Sequence, residues 1–133
     1  MKEVKVFIEI AEEGFSAYMD DTPLDYGCMG EGTTVEEAME DFNRAYEEMR
    51  DHYAAEGRPF EEVHFTFYYD TASFLNEFGK VFSLSGLQRI TGINQTQLGH
   101  YLHGRSRPSK KTVTKIQDGI RRFVNNLTAV NFL

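Results

Sequence analysis

The 133-residue sequence lacks the features of disulfide-stabilised, zinc-binding and membrane-spanning proteins. Its single cysteine, Cys28, cannot form an internal disulfide, and one thiol without metal-ligand spacing argues against a zinc site. No run of 18 or more apolar residues occurs, so we expect no transmembrane helix and no membrane partner. The opening segment, MKEVKVFIEI, has acids within its apolar run and no small-residue cleavage site, so no signal peptide is expected. These absences predict a soluble, cytoplasmic protein.

Signatures of catalysis and of cofactor binding are also missing. There is no G-x-S-x-G, no Walker loop and no H-E-x-x-H. The glycine-rich segment 27–32, GCMGEG, lacks the flanks of a dinucleotide or phosphate site. The carboxylates of Asp20, Asp21 and Asp25 could gather Mg²⁺, but an acidic loop in an acidic segment is more often only hydrated. We therefore expect no enzyme activity, no catalytic residue, no metal and no cofactor.

The net charge of −7 conceals two halves of opposite sign. Residues 1–70 contain 5 Lys/Arg and 19 Asp/Glu, a net charge of −14. Residues 71–133 contain 9 Lys/Arg and 2 Asp/Glu, a net charge of +7. Such asymmetry predicts modules with different partners, a polyanion for the basic half and a basic protein for the acidic half. Simple attraction between the two halves is the alternative.

Hydrophobic patterns in residues 1–70 predict three strands, a helix and a fourth strand. Apolar residues alternate over 4–10, EEG follows as a hairpin signal, and FSAYM alternates again. After the short, glycine-rich YGCMGEG, apolar residues recur at three and four over 33–57, behind a capping box. The aromatic and β-branched run VHFTFYY at 63–69 predicts the last strand. The order βββαβ predicts an α+β N-terminal domain.

Residues 71–133 carry helical patterns instead. Short amphipathic segments predict helices over 71–83, 83–92, 94–104 and 109–127. Four or five helices in about 60 residues predict a small all-α domain, with the junction between domains at 70–73.

Two of these short helices have the spacing of a helix-turn-helix. Gly92 allows the left-handed backbone of the turn, and the apolar Ile93 can fill the space between the helices. Leu98, Tyr101 and Leu102 are expected to anchor the second helix. Polar side chains on its other face can hydrogen-bond base edges, since Gln pairs with adenine.

The segment 84–116, LSGLQRITGINQTQLGHYLHGRSRPSKKTVTKI, resembles the Cro/lambda repressor-like (XRE) helix-turn-helix domain. By that resemblance, base edges in double-stranded DNA would be contacted by Gln95, Thr96, Gln97 and His100. Phosphates would be contacted by Asn94, Arg105, Arg107, Lys110 and Lys111. Gly99 stands where the family often has a polar residue. Some such domains bind only proteins, but this one has no acid between Thr91 and Thr114, unlike an ordinary surface of mixed charge.

The N-terminal pattern resembles the HicB-type antitoxins. The residues that carry the resemblance are Gly27, Cys28, Gly32, Thr34, Glu37 and Ala38. The resemblance implies a partial RNase H-like N-terminal fold that neutralises a small basic HicA-like mRNA interferase toxin. It also implies a C-terminal domain that dimerises and represses its own operon. The Pro-Gly-Cys often found in the family is absent, and the helix is long.

We therefore expect a DNA-binding transcriptional repressor of the antitoxin kind, with domains over 1–70 and 71–133. A homodimer or higher homo-oligomer would bind a palindromic operator, with half-sites about one helical turn apart. The tail LTAVNFL at 127–133 belongs either to the dimer interface or to its own domain's core. The alternatives are an orphan regulator without a toxin, an RNase H-like nuclease, for which the first strand offers only Glu9, and a pure interaction adaptor.

Overall fold

The computed structural model describes residues 1–133 as four strands and five helices. The first part of the chain contains β1 (Lys2–Ala11), β2 (Gly14–Met19), β3 (Met29–Gly32), α1 (Val35–Ala55) and β4 (Val63–Tyr69). Four helices follow, namely α2 (Thr71–Phe78), α3 (Leu84–Thr91), α4 (Gln95–Leu102) and α5 (Lys110–Thr128). The chain divides into a first compact unit, 1–73, and a second, 74–133.

The strands form one mixed sheet in the order β3-β2-β1-β4. Pairing is antiparallel between β1 and β2 and between β2 and β3, whereas β1 and β4 are parallel. Side chains alternate between the two faces of a strand. Val6 and Ile8 of β1 are therefore buried together against Phe42 of α1, while the residues between them lie on the opposite face. One face of the sheet is thus covered by a helix.

Two glycines in the GCMGEG segment allow α1 to contact β3 closely. A Cβ atom on Gly30 would overlap the carbonyl oxygen of Ala38 and the backbone nitrogen of Phe42. A Cβ on Gly32 would overlap the side chain of Glu37. The glycine richness of this segment is therefore explained by close packing of a helix on a strand.

The second unit has its own small core. Leu75, Leu87, Leu98 and Tyr101 are buried together, one or two from each of α2, α3 and α4. Helix α5 crosses α3 at Gly119, where an added Cβ would lie 2.5 Å from the carbonyl oxygen of Ile90. Only a residue without a side chain permits this close approach of the two helix backbones.

The expected fold class, a partial RNase H-like α+β domain followed by an all-α lambda repressor-like domain, is wrong. The chain is α+β with a four-stranded mixed sheet and five helices, and its strands and helices are interleaved. Helix α1 stands between β3 and β4 because β4 pairs parallel to β1, and a parallel strand needs a long crossover connection.

The boundary between the two units does not coincide with the change from strands to helices along the chain. The division falls between Ser73 and Phe74, within α2. The first turn of this helix belongs to the sheet unit, where Asp70 Oδ1 accepts a hydrogen bond from the Ser73 N–H. The same carboxylate's Oδ2 accepts a bond from the Ile10 N–H at the end of β1.

One further expectation for the second half is corrected, and one of the two alternatives for the tail is not observed. The helix predicted over 71–83 ends at Phe78, whose side chain is exposed. The tail does not join the core of its own unit, because Leu127, Val130 and Phe132 are all exposed. None of the five helices combines the length and the apolar character needed to cross a membrane.

Candidate nucleic-acid interface

Helices α3 and α4 are joined by a three-residue turn, Gly92–Asn94. Gly92 ends α3 in the left-handed conformation, with a φ of 76°, and its N–H donates to the carbonyl oxygen of Gln88. Ile93 is half-buried and packs against the core of the second unit. Leu98 and Tyr101 hold the inner face of α4, so its first turn is left at the surface.

Three polar side chains fix the start of α4. Asn94 Oδ1 accepts a hydrogen bond of 2.8 Å from the Thr96 N–H, as an N-cap residue does. Gln88 Oε1, on α3, accepts a bond of 2.8 Å from the Gln95 N–H. Thr91 Oγ1 accepts from the Ile93 N–H and donates to the carbonyl oxygen of Leu87. The direction of α4 relative to α3 is therefore set by hydrogen bonds as well as by packing.

The residues predicted to contact DNA lie at the N-cap of α4, on α4, in the loop after it and at the start of α5. Those with exposed side chains are Asn94, Gln95, Thr96, Arg105, Arg107, Lys110 and Lys111. The other two, Gln97 and His100, are half-buried. The Gln97 side-chain amide donates a 3.1 Å hydrogen bond to Ser106 Oγ in the loop. Gln97 must rotate or share this donor to contact a base, whereas Gln95 is free to do so.

The basic loop after α4 is shaped by its own backbone bonds. Gly104 has a φ of 70°, and the Arg105 N–H donates a hydrogen bond to the carbonyl oxygen of His100. At the other end of the loop, Ser109 Oγ caps α5 by accepting from the Thr112 N–H. Arg105 and Arg107 therefore lie between two fixed helix ends.

Lys110 and Lys111 occupy the first turn of α5, which contains no acidic residue. The partial positive charge of a helix N-terminus favours acids there, so two lysines cost local stability. The same combination of free N–H groups and cations attracts phosphate. This departure from the usual charge preference is consistent with an anion-binding role.

Three residues that contact this surface were not predicted from the sequence. They are Gln88, which braces the start of α4, Ser106, which binds Gln97, and Lys115, whose Nζ lies 3.5 Å from the carbonyl oxygen of Gly92. The only sequence signal was the spacing of Gln88, seven residues before Gln95. Each bond joins residues from different helices or loops, which periodicity does not reveal.

Carboxylates of the first unit are dispersed. Glu9, the acid of the first strand, accepts a 2.8 Å hydrogen bond from the Tyr18 hydroxyl. The acidic loop residues Asp20, Asp21 and Asp25 are exposed. No three His, Cys, Asp or Glu residues are grouped so that they could hold a metal ion. Cys28 is buried, and burial raises the pKa of its thiol.

No family model, curated protein or solved structure matches this chain.

Proposed function

We propose that this protein is a sequence-specific DNA-binding transcriptional regulator, an antitoxin of the HicB kind acting in the cytoplasm. The observation that carries the proposal is the outward display of Gln95 and Thr96 on a braced helix, beside four exposed cations. The segment between Thr91 and Thr114 has no acid that would repel phosphate. A charge of +7 on the second unit supports attraction to a polyanion.

DNA binding would proceed by electrostatic docking followed by base readout. Arg105, Arg107, Lys110 and Lys111 contact phosphates and fix the register of the protein on the duplex. Gln95 then offers an amide that can pair bidentately with adenine in the major groove. Thr96, Gln97 and His100 supply further contacts, with Gln97 exchanging its bond to Ser106 for one to a base. The Asn94 side-chain NH₂ can donate to a phosphate while its oxygen caps α4.

Assembly into a homodimer or higher homo-oligomer completes the proposal. One unit of 60 residues offers a single recognition helix, and pairing on a palindrome multiplies its affinity. The exposed apolar side chains Val124, Leu127 and Phe132, on α5 and in the tail, favour this region as the contact between copies. Light scattering of wild type and of a Val124→Ser, Leu127→Ser variant tests it: the variant should be monomeric.

In this proposal the first unit masks a small basic toxin, an mRNA interferase of the HicA kind. Its charge of −14 suits it to cover a cationic RNA-binding surface. A small basic protein encoded beside this one, and inhibited by it, would support the antitoxin role. If no such neighbour exists, an orphan DNA-binding regulator remains.

The DNA role is tested by selecting duplexes from a random pool and measuring binding by fluorescence anisotropy. Changing Gln95 and Gln97 together to Ala should remove about 1–3 kcal/mol of preference per lost base pair contact, leaving background binding to random duplex unchanged. Arg105→Ala and Lys110→Ala should weaken binding to all sequences alike.

Arg121→Ala is the matched control for the cation variants. This exposed arginine lies six residues beyond Lys115, about 9 Å further along α5. It should change DNA affinity less than Arg105→Ala does. Equal losses on selected and random duplexes in the glutamine variant would contradict base readout, and absence of any DNA binding at low salt would leave an interaction adaptor.

A further inference from the structure

The helix-free face of the sheet carries a row of apolar side chains that crosses all four strands. Strand pairing places Phe7 of β1 directly opposite Tyr18 of β2 and opposite Tyr68 of β4. Tyr18 is in turn opposite Met29 of β3. These four residues are called the aromatic band below. With strands about 4.8 Å apart, the band is about 14 Å across.

The rings of the band contact one another and are accessible to solvent. The Phe7 ring centroid lies 5.6 Å from that of Tyr18 and 6.1 Å from that of Tyr68. Met29 is 63% exposed and Tyr68 46% exposed, and the two rings between them are half-buried. Aromatic side chains displayed together on a surface supply much of the binding free energy of protein interfaces.

Carboxylates lie beside the band. Glu9 is opposite Ser16, which is opposite Glu31, so two acids stand in the next row of the same face. The Tyr18 hydroxyl donates to Glu9 Oε1, and its pKa is raised by this bond first, then by burial and by the charges of Glu9, Asp20 and Asp70. A groove of about 680 Å³ adjoins one end of the band, where Tyr18 and Met29 line it together with Asp20, Asp21 and residues of the following loop.

The single cation on this part of the face shows how a partner could bind. Lys5 Nζ lies over the Tyr68 ring, 5.3 Å from its centroid, in a cation–π contact. A guanidinium group stacks on aromatic rings better than an ammonium and can pair with a carboxylate at the same time. Rings and acids in adjacent rows therefore match arginine side chains.

We propose that the aromatic band is the docking face for an arginine-rich surface of a basic protein. The inference rests on the proposed role of residues 1–70 in binding such a protein, and it assigns the surface. Charge decides between the possible occupants. A second copy would set a unit of charge −14 against another of −14, and nucleic acid phosphates would meet Glu9 and Glu31.

The test measures the binding of fluorescent nona-arginine and nona-lysine peptides to the full chain at about 50 mM salt, where exposed charges are weakly screened. Nona-arginine should bind the wild type more tightly than nona-lysine. Tyr68→Ala should weaken nona-arginine binding roughly fivefold and reduce its advantage over nona-lysine. Glu9→Gln should weaken binding of both peptides.

Two variants control for charge and for aromatic surface elsewhere. Glu48→Gln removes one exposed acid from α1, and Phe132→Ala removes an exposed ring from the tail; each should change affinity by less than about twofold. Chemical shift changes on peptide addition should centre on β1, β2 and β4, and thermal melting should show that Tyr68→Ala remains folded.

Each contrary result has a distinct meaning. If Glu48→Gln lowers peptide affinity as much as Glu9→Gln does, or if Tyr68→Ala does not lower it, the attraction comes from the general negative charge. The docking face is then wrong, but the proposal that the first unit binds a basic protein is not contradicted. If the wild type binds neither peptide, the docking face and the proposed binding of a basic protein by the first unit are both wrong. The proposal that the second unit binds DNA does not depend on this result. Binding of oligo-uridine RNA to the band instead would overturn the arginine assignment.

Discussion

At the scale of single residues, the proposed DNA-binding surface depends on side chains that hold other residues in place. Gln95 is exposed, but its backbone N–H is held by Gln88 from the preceding helix. Gln97, two positions further along α4, is half-buried, and its amide is bound to Ser106. Two glutamines two positions apart therefore have different freedom to contact a base, which their spacing in the sequence does not reveal.

The sharpest test at this scale is Gly119→Ala. Its new Cβ would lie 2.5 Å from the carbonyl oxygen of Ile90 and 2.9 Å from the Cα of Thr91, so α3 and α5 must separate. We expect a loss of about 1–3 kcal/mol in the free energy of unfolding of the second unit, measured by urea denaturation.

Gly99→Ala is the control for this change. Its Cβ would meet only Leu84 Cδ1, at 3.7 Å, in ordinary contact. Because alanine is about 1 kcal/mol better than glycine in a helix, this variant should be as stable as wild type or more so. Equal stability of the two variants would show that the helix crossing is looser than described.

At the scale of elements, the first turns of helices α1 and α5 carry charges of opposite sign. Helix α1 begins with Glu36 and Glu37, as the helix dipole favours, whereas α5 begins with Lys110 and Lys111. The first arrangement stabilises the fold. The second costs stability and creates a helix start that attracts anions.

The start of α1 gives a prediction about pH. Hydrogen bonds from the Thr33 hydroxyl and N–H, and then from the Thr34 backbone, lower the pKa of Glu37. A carboxyl with a lowered folded-state pKa contributes stability above its unfolded pKa of about 4.3, and that stability is lost as pH falls through the folded value. Glu37→Gln should therefore melt below wild type at pH 7 and approach it below pH 4.

Melting temperatures of both proteins across pH 3–8 measure this difference. Glu40→Gln, an exposed acid one turn further along α1, is the matched control and should show a smaller difference from wild type at pH 7. If the difference in melting temperature between Glu37→Gln and wild type stays constant with pH, the hydrogen bonds at the start of α1 do not depend on the charge of the Glu37 carboxylate.

At the scale of the whole molecule, the separation of charge between the units predicts the salt dependence of DNA binding. If Arg105, Arg107, Lys110 and Lys111 all contact phosphates, log K should fall against log salt with a slope of about −4 per chain and about −7 per dimer. For a dimer, affinity should drop about 10⁴-fold between 50 and 200 mM salt.

Anisotropy titrations at several salt concentrations measure the slope, and each cation changed to Ala should reduce it by about one per chain. Arg121→Ala should leave the slope unchanged. A slope near zero in the wild type would mean that the basic loop does not contact the DNA backbone.

The sequence by itself determined the local elements and the charge. Strands over 4–10 and 63–69, the long capped helix and the αL turn at Gly92 follow from periods of two or 3.6 and from residues that favour a cap or a positive φ. These signals act between neighbours along the chain, so they can be read before folding. The exposure of Thr96 follows from the same periodicity, since Leu98 and Tyr101 fix the inner face of α4.

Only the tertiary structure decided how the elements combine. The parallel pairing of β4 with β1 set the mixed sheet and brought Phe7 beside Tyr68, about sixty residues away. The brace from Gln88 and the exposure of the tail are likewise absent from local patterns. Contacts between distant residues depend on which strands pair and how closely helices pack, and periodicity carries no information about either.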